Sequence, residues 1–204
     1  MNFQESQTAK NLARAFAGEC QAGARYQFIA KQAEQEGQIY IKATMKKLAK
    51  HEMAHAKLFW DLIQKYTKGQ AQNIEITAGF PFRSGSLAEM LHFSSHNEKS
   101  ENTTIYPSFS KIADDEGLDD VSNAFKMIAG VEHDHYEILN GLYLQLSDKT
   151  LYCRDEKKEW KCSQCGFGVY EKCAPNPCPL CSSPQGSYEI CLNCEKEISD
   201  RTLQ

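Results

Sequence analysis

His51-Glu52-Met53-Ala54-His55-Ala56 decides how this chain is read, because its core returns as Glu132-His133-Asp134-His135. Each stretch holds Glu-x-x-His. Residues three apart in an α-helix lie about 60° apart around the axis, so carboxylate and imidazole share a face. One such motif on a solvated helix means little, since Glu is an ordinary helix former. Here each copy has a lone acidic partner at matched distance. Glu19, in Phe16-Ala17-Gly18-Glu19, precedes Glu52 by 33 residues, and Glu98 precedes Glu132 by 34. Two similar hairpins, each giving one lone Glu and one Glu-x-x-His, form a pseudo-twofold cage for two metal ions. Glu101, three residues after Glu98, adds another carboxylate.

Around these residues the pattern predicts four long helices, over 8–36, 39–66, 86–117 and 119–146. Ser86, with Glu89 three residues on, has the form of a capping box. Breaks at Gly37 and at Gly117-Leu118 are short enough to make each pair antiparallel neighbours. Between the pairs, residues 67–85 hold three glycines and Pro81 and form one long crossover. Two helical hairpins joined this way are the ferritin-like four-helix bundle, and the ligand set just described is the known pattern of its dimetal members. Pro107 falls inside the third helix and should bend or loosen it.

Composition narrows the function. The 204 residues carry a net charge of −4, without a basic patch, so nucleic acid is not an expected partner. The N-terminal stretch has no apolar h-region, and no apolar run approaches a membrane span, so a cytoplasmic protein is expected. Of nine cysteines, eight lie at or beyond Cys153. An odd count clustered in CxxC pairs, without a secretion signal, argues for metal ligands over disulfides.

We divide the chain into a bundle, 1–149, and a small metal-binding domain of strands and loops, 150–204. The second holds four of the six prolines and is too short to rely on burial alone, so a staple is expected. Cys162-Ser163-Gln164-Cys165 and Cys178-Pro179-Leu180-Cys181 supply it: two knuckles that set four thiolates around one ion. Iron there gives a one-electron carrier and zinc an inert staple; spacing does not separate them. Cys153, Cys173, Cys191 and Cys194 are expected as free reduced thiols, and Cys20 as a small core residue.

In the cage, carboxylates with one imidazole per metal suit iron or manganese. Tyr26, two turns beyond Glu19, and Tyr106 are candidates to hydrogen-bond a ligand carboxylate. His51 and His133 are expected to be solvated, and His92 and His96 to lie at the surface or behind the ligands.

With these residues in view, the chain resembles the rubrerythrins over nearly its whole length. The resemblance rests on Phe16-Ala17-Gly18-Glu19, Glu52-x-x-His55-Ala56, Glu98-x-x-Glu101, Tyr106-Pro107-Ser108-Phe109, Glu132-x-x-His135 and a rubredoxin-like Trp160-x-Cys162-x-x-Cys165-Gly166 with Cys178-Pro179-x-Cys181. It implies a diiron peroxidase that reduces hydrogen peroxide to water and protects against oxidative stress. Electrons would come from an external donor, a rubredoxin or an NAD(P)H-dependent reductase, through an iron–tetracysteine site. It implies that Glu52 and Glu132 bridge the irons, that Glu19 and Glu101 serve one iron, with His55 exchanging with Glu101, and that Glu98 and His135 serve the other. Homodimers are typical. The alternative is a ferroxidase or iron-binding protein. The segment Asn102-Thr103-Thr104-Ile105 and the tail from Cys191 depart from the family pattern.

Overall fold

A computed structural model of the chain describes residues 2–70 and 73–190. Four long helical rods dominate it: α1 (Gln7–Gln35), α2 (Ile39–Thr67), α3 with α4 (Leu87–Ser100 and Tyr106–Asp115) and α5 (Asp119–Ser147). Both hairpins form as the short breaks require. Gly37 closes the first with a φ of +70°, which costs glycine little. The predicted capping box opens α3: Glu89 N–H donates to Ser86 Oγ, and the Glu89 carboxylate accepts from Ser86 N–H.

The third rod is not the single helix that the pattern predicts. Between α3 and α4, Glu101–Ile105 form a π-helical turn in which Tyr106 N–H donates to Glu101 O. Pro107 follows at once and has no N–H to give, so one wider turn takes up the register change.

The crossover runs along α1, held by its side chains. Arg14 Nε donates to Thr77 O, Gln21 Nε2 to Pro81 O and Gln32 Nε2 to Gly85 O.

Inside the bundle the apolar core falls into two clusters. One gathers Tyr26, Ile29, Met45, Leu48, Leu91 and Leu139; the other gathers Leu12, Phe59, Tyr106, Phe125 and Ile128. In sequence, Glu19 sits between Leu12 and Tyr26, Glu52 between Leu48 and Phe59, and Glu132 between Ile128 and Leu139. The acidic residues thus come where each rod passes from one cluster to the other.

After α5 the chain forms a three-stranded antiparallel sheet in the order β2-β1-β3, with β1 at Cys153–Cys162, β2 at Gly168–Cys173 and β3 at Tyr188–Ile190. Its buried Trp160 and Tyr188 belong to the same cluster as Tyr26 and Leu48. Tyr152 Oη donates to Gln38 Oε1 at 2.7 Å, which ties the sheet to the α1–α2 turn.

One cysteine expectation is overturned here. Cys153 and Cys173 are direct partners across β1 and β2, their Cα atoms 4.1 Å apart, and they form a disulfide. Counting cysteines could not reveal this, because register rather than sequence spacing opposes the two. Cys20 is half-buried and free. Cys191 and Cys194 lie outside the described residues. No helix among the described residues is long and apolar enough to cross a membrane.

Candidate metal centres

Glu19, Glu52, Glu98, Glu132 and His135 are all buried to 1% exposure or less. Their donor atoms meet in two groups, each with its atoms within 4.8 Å of one another: Glu19, Glu52, His55 and Glu132, and Glu52, Glu98, Glu132 and His135. Glu52 and Glu132 are common to both. His135 Nδ1 lies 3.0 Å from Glu52 Oε1 and 2.7 Å from Glu132 Oε2, and His55 Nδ1 lies 3.0 Å from Glu132 Oε1. Glu101 belongs to neither group. It is half-buried in the π turn and faces a cavity beside the site.

Whether metal ions fit here can be judged from polar atoms left without partners. Both oxygens of Glu98 are buried without any hydrogen bond, and both of Glu132, Glu52 Oε1, His55 Nδ1 and His135 Nδ1 are buried with only their close contacts to one another, none of hydrogen-bond geometry. Leaving even one such group unsatisfied costs about 1–3 kcal/mol, more if charged, so a cluster of them calls for a compensating ion. Two divalent cations between the groups would meet these lone pairs together.

The protonation pattern without metal tells the same story. Burial drives the carboxyls of Glu19 and Glu98 well above the usual range. Glu101 is pushed up to about 8 by burial and by the charges of Glu132 and Glu52. For Glu52 burial is outweighed by the approach of His135 and His55, which hold it down to about 2. For the imidazoles burial opposes the charge, yet the surrounding carboxylates hold His55 up to about 12 and His135 up to about 9. Protons do in the bare protein what cations would do in the loaded one.

Tyr106 and His51 each meet a ligand, whereas Tyr26, expected to hydrogen-bond a ligand carboxylate, does not. Tyr106 Oη donates to Glu19 Oε1, so this tyrosine reaches a carboxylate of the cage. Tyr26 is fully buried, its hydroxyl without a partner. The expectation that His51 is solvated is wrong: its Nδ1 lies 3.1 Å from His135 Nε2, and the rings stack. The signal was in the sequence, since 51 and 55 are four apart and share a helix face. His133 is exposed, as expected. His92 packs on Tyr143, and His96 Nδ1 hydrogen-bonds His92 O; neither joins a donor group.

In the sheet region Cys162, Cys165, Cys178 and Cys181 converge. Cys162 and Cys181 sulfurs are 3.8 Å apart, as are those of Cys165 and Cys178. A tetrahedron with metal–sulfur bonds of about 2.3 Å has edges of about 3.8 Å, so the four thiolates fit one ion. Ser183 Oγ lies 3.1 Å from Cys181 Sγ.

The rubrerythrin family model matches residues 10–143, a span that covers all six residues of the two donor groups and Glu101. The chain belongs to the rubrerythrin family. It is 38% identical to rubrerythrin-1 of Clostridium acetobutylicum over 189 residues, covering 93% of this chain and 96% of that one. Rubrerythrin of Porphyromonas gingivalis is 37% identical, with 92% of each chain covered. Among solved structures, nigerythrin in a partially reduced state superposes with a TM-score of 0.61 over 92% of this chain and 90% of that one, at 24% identity, a likeness of fold. Rubrerythrins bind a diiron cofactor, and this chain holds both the Glu/His donor groups for it and a four-cysteine cluster. Membership places the protein among oxidoreductases that work with a redox partner.

Proposed function

We propose that this rubrerythrin is a non-haem diiron peroxidase that reduces hydrogen peroxide to water and so limits oxidative stress. Electrons would arrive one at a time from an external rubredoxin or NAD(P)H-dependent reductase, through iron at the cysteine cluster. The observation that carries this reading is the shared pair Glu52 and Glu132 between two donor groups, with a further carboxylate, Glu101, at a cavity beside them. An iron-oxidising protein has no need of the cysteine site as an electron input.

Glu19, Glu52, His55 and Glu132 would hold one iron, and Glu52, Glu98, Glu132 and His135 the other. A ferrous pair supplies two electrons and Lewis acidity to the O–O bond. The chain's residues do the rest. Tyr106 orients Glu19, and His51 orients His135. Glu101 places a carboxyl where the cavity meets the cage, in position to pass a proton toward a bound peroxide. The reaction H2O2 + 2e⁻ + 2H⁺ → 2H2O takes up two protons, which a carboxyl at that position can relay from water. Glu101 would offer the first iron a further carboxylate beside His55, a donor that suits ferric iron better than an imidazole. We read residues 1–149 as the reaction unit and 150–204 as the electron relay of a cytoplasmic homodimer.

Stopped-flow reoxidation of the reduced, iron-loaded protein tests the reading. Peroxide should reoxidise it faster than dioxygen, and Glu101→Ala should slow turnover while the bundle stays folded. A clear preference for dioxygen would point to the ferroxidase reading instead.

A further inference from the structure

The cavity beside Glu101 is larger than hydrogen peroxide requires. At about 360 Å³ it falls in the range of pockets for small organic ligands, roughly 300–1,000 Å³. Glu101 and Tyr106 stand at the cage side. The apolar part of the lining comes from Phe80 and Pro81 of the crossover with Ile105 and Phe109.

The polar groups around it leave little to recognise a charged ligand. Arg14 is engaged by Thr77 O and Asn11 Oδ1, and one terminal nitrogen of Arg25 by Gln21 Oε1. Arg25 is the nearby counter-charge of Glu98 and Glu101. Its buried Nε–H has no partner, and Asn97 and Ser100 also line the cavity, so the donors left for a ligand are one guanidinium N–H and neutral amide and hydroxyl groups.

We propose that this cavity is a substrate pocket for neutral organic hydroperoxides, ROOH, in which R is a compact branched alkyl or aryl group lying against Phe80, Pro81 and Phe109 and the peroxy end reaches Glu101 and Arg25. The proposal rests on the peroxidase reading above and names a second substrate class for the same site. The reaction is ROOH + 2e⁻ + 2H⁺ → ROH + H2O. The O–O bond breaks, each oxygen is reduced by one electron, and each gains one proton. The electrons come from the same external one-electron protein donor through the cysteine site, and the protons from water.

The test uses the full-length iron-loaded protein with hydrogen peroxide, tert-butyl hydroperoxide and cumene hydroperoxide, and calorimetric titration of the oxidised protein with cumyl alcohol, an unreactive mimic. Gly18→Leu fills the cavity from α1, where an added Cβ meets only Phe80, at 3.8 Å. Ala78→Trp fills it from the crossover, at an exposed position outside any helix. We expect kcat/KM for cumene hydroperoxide within about tenfold of that for hydrogen peroxide, a loss of about tenfold or more in both variants, and less than about threefold change for hydrogen peroxide. Cumyl alcohol should bind the unmodified protein and neither variant. Rapid reduction of hydrogen peroxide with none of cumene hydroperoxide, unchanged cumene hydroperoxide kinetics in both variants, or no binding of the alcohol overturns the pocket while leaving the peroxidase reading intact. Failure to reduce any hydroperoxide overturns both.

Discussion

His51 Nδ1 lies 3.1 Å from His135 Nε2, while His135 Nδ1 faces Glu52 and Glu132 at 3.0 and 2.7 Å. The two ring nitrogens of His135 therefore have different tasks. To ligate a metal through Nδ1, the ring must carry its proton on Nε2 and donate it to His51 Nδ1. Removing such a support typically costs 10–100-fold in metal affinity. We expect His51→Ala to weaken iron binding by about that factor in a chelator competition. His51→Gln should keep most of the affinity, because its amide oxygen can accept the same hydrogen bond. Equal affinity in all three proteins would make His51 a bystander.

Metal loading should release protons and strengthen with pH. Without metal His55 is held up to about 12 and His135 up to about 9, so both are protonated at pH 7. A ligating imidazole must be neutral, so cation and proton compete for the same lone pair. Affinity should fall as pH drops below 7 and rise as pH approaches 9, the pKa of His135. Calorimetric titration with ferrous iron in two buffers of different ionisation enthalpy counts the protons released. Identical heats in both buffers would contradict the expectation.

The bundle and cage were legible because they obey spacing rules. A 3.6-residue period and a repeated Glu-x-x-His put Glu52, His55, Glu132 and His135 on inner faces whatever the packing details. What escaped depends on contacts between elements. The π turn at Glu101–Ile105 answers a local conflict between helix continuation and Pro107, and the sequence announces the conflict without its resolution. The Cys153–Cys173 disulfide depends on strand register, which the few alternating residues of a short sheet leave open. His51 stands next to Glu52 in sequence, but it is the i,i+4 relation to His55 that turns it toward the cage.

The Cys153–Cys173 bond should matter for the stability of the C-terminal sheet. It closes a loop with a sequence separation of 20 residues, for which the chain-entropy argument gives about 3 kcal/mol. We expect the Cys153→Ser/Cys173→Ser double variant, with metal at the four-cysteine site, to lose about that much in denaturant unfolding. Fluorescence reports it, since Trp160 is buried on β1 and its Nε1–H donates to Glu171 O on β2. An unchanged midpoint would show that the metal alone holds the sheet.

Gly186 joins the sheet region to the bundle through the absence of a side chain. A Cβ added there would collide with Gly37 O and press on Gln38 Cα at 2.9 Å, both backbone atoms in the α1–α2 turn. Neither can swing aside as a flexible side chain would. Tyr152 Oη on Gln38 Oε1 depends on the same approach. Gly186→Ala should therefore separate the two surfaces while leaving the four-cysteine site formed, because the knuckles at Cys162–Cys165 and Cys178–Cys181 make no use of that contact. We expect hydrogen exchange at Gln38 and the first turn of α2 to rise at least about tenfold, as local opening of this contact would allow. The charge-transfer spectrum of the iron-loaded cysteine site should stay unchanged. Loss of that spectrum, or exchange identical to the unmodified protein, would refute a docking role for this glycine.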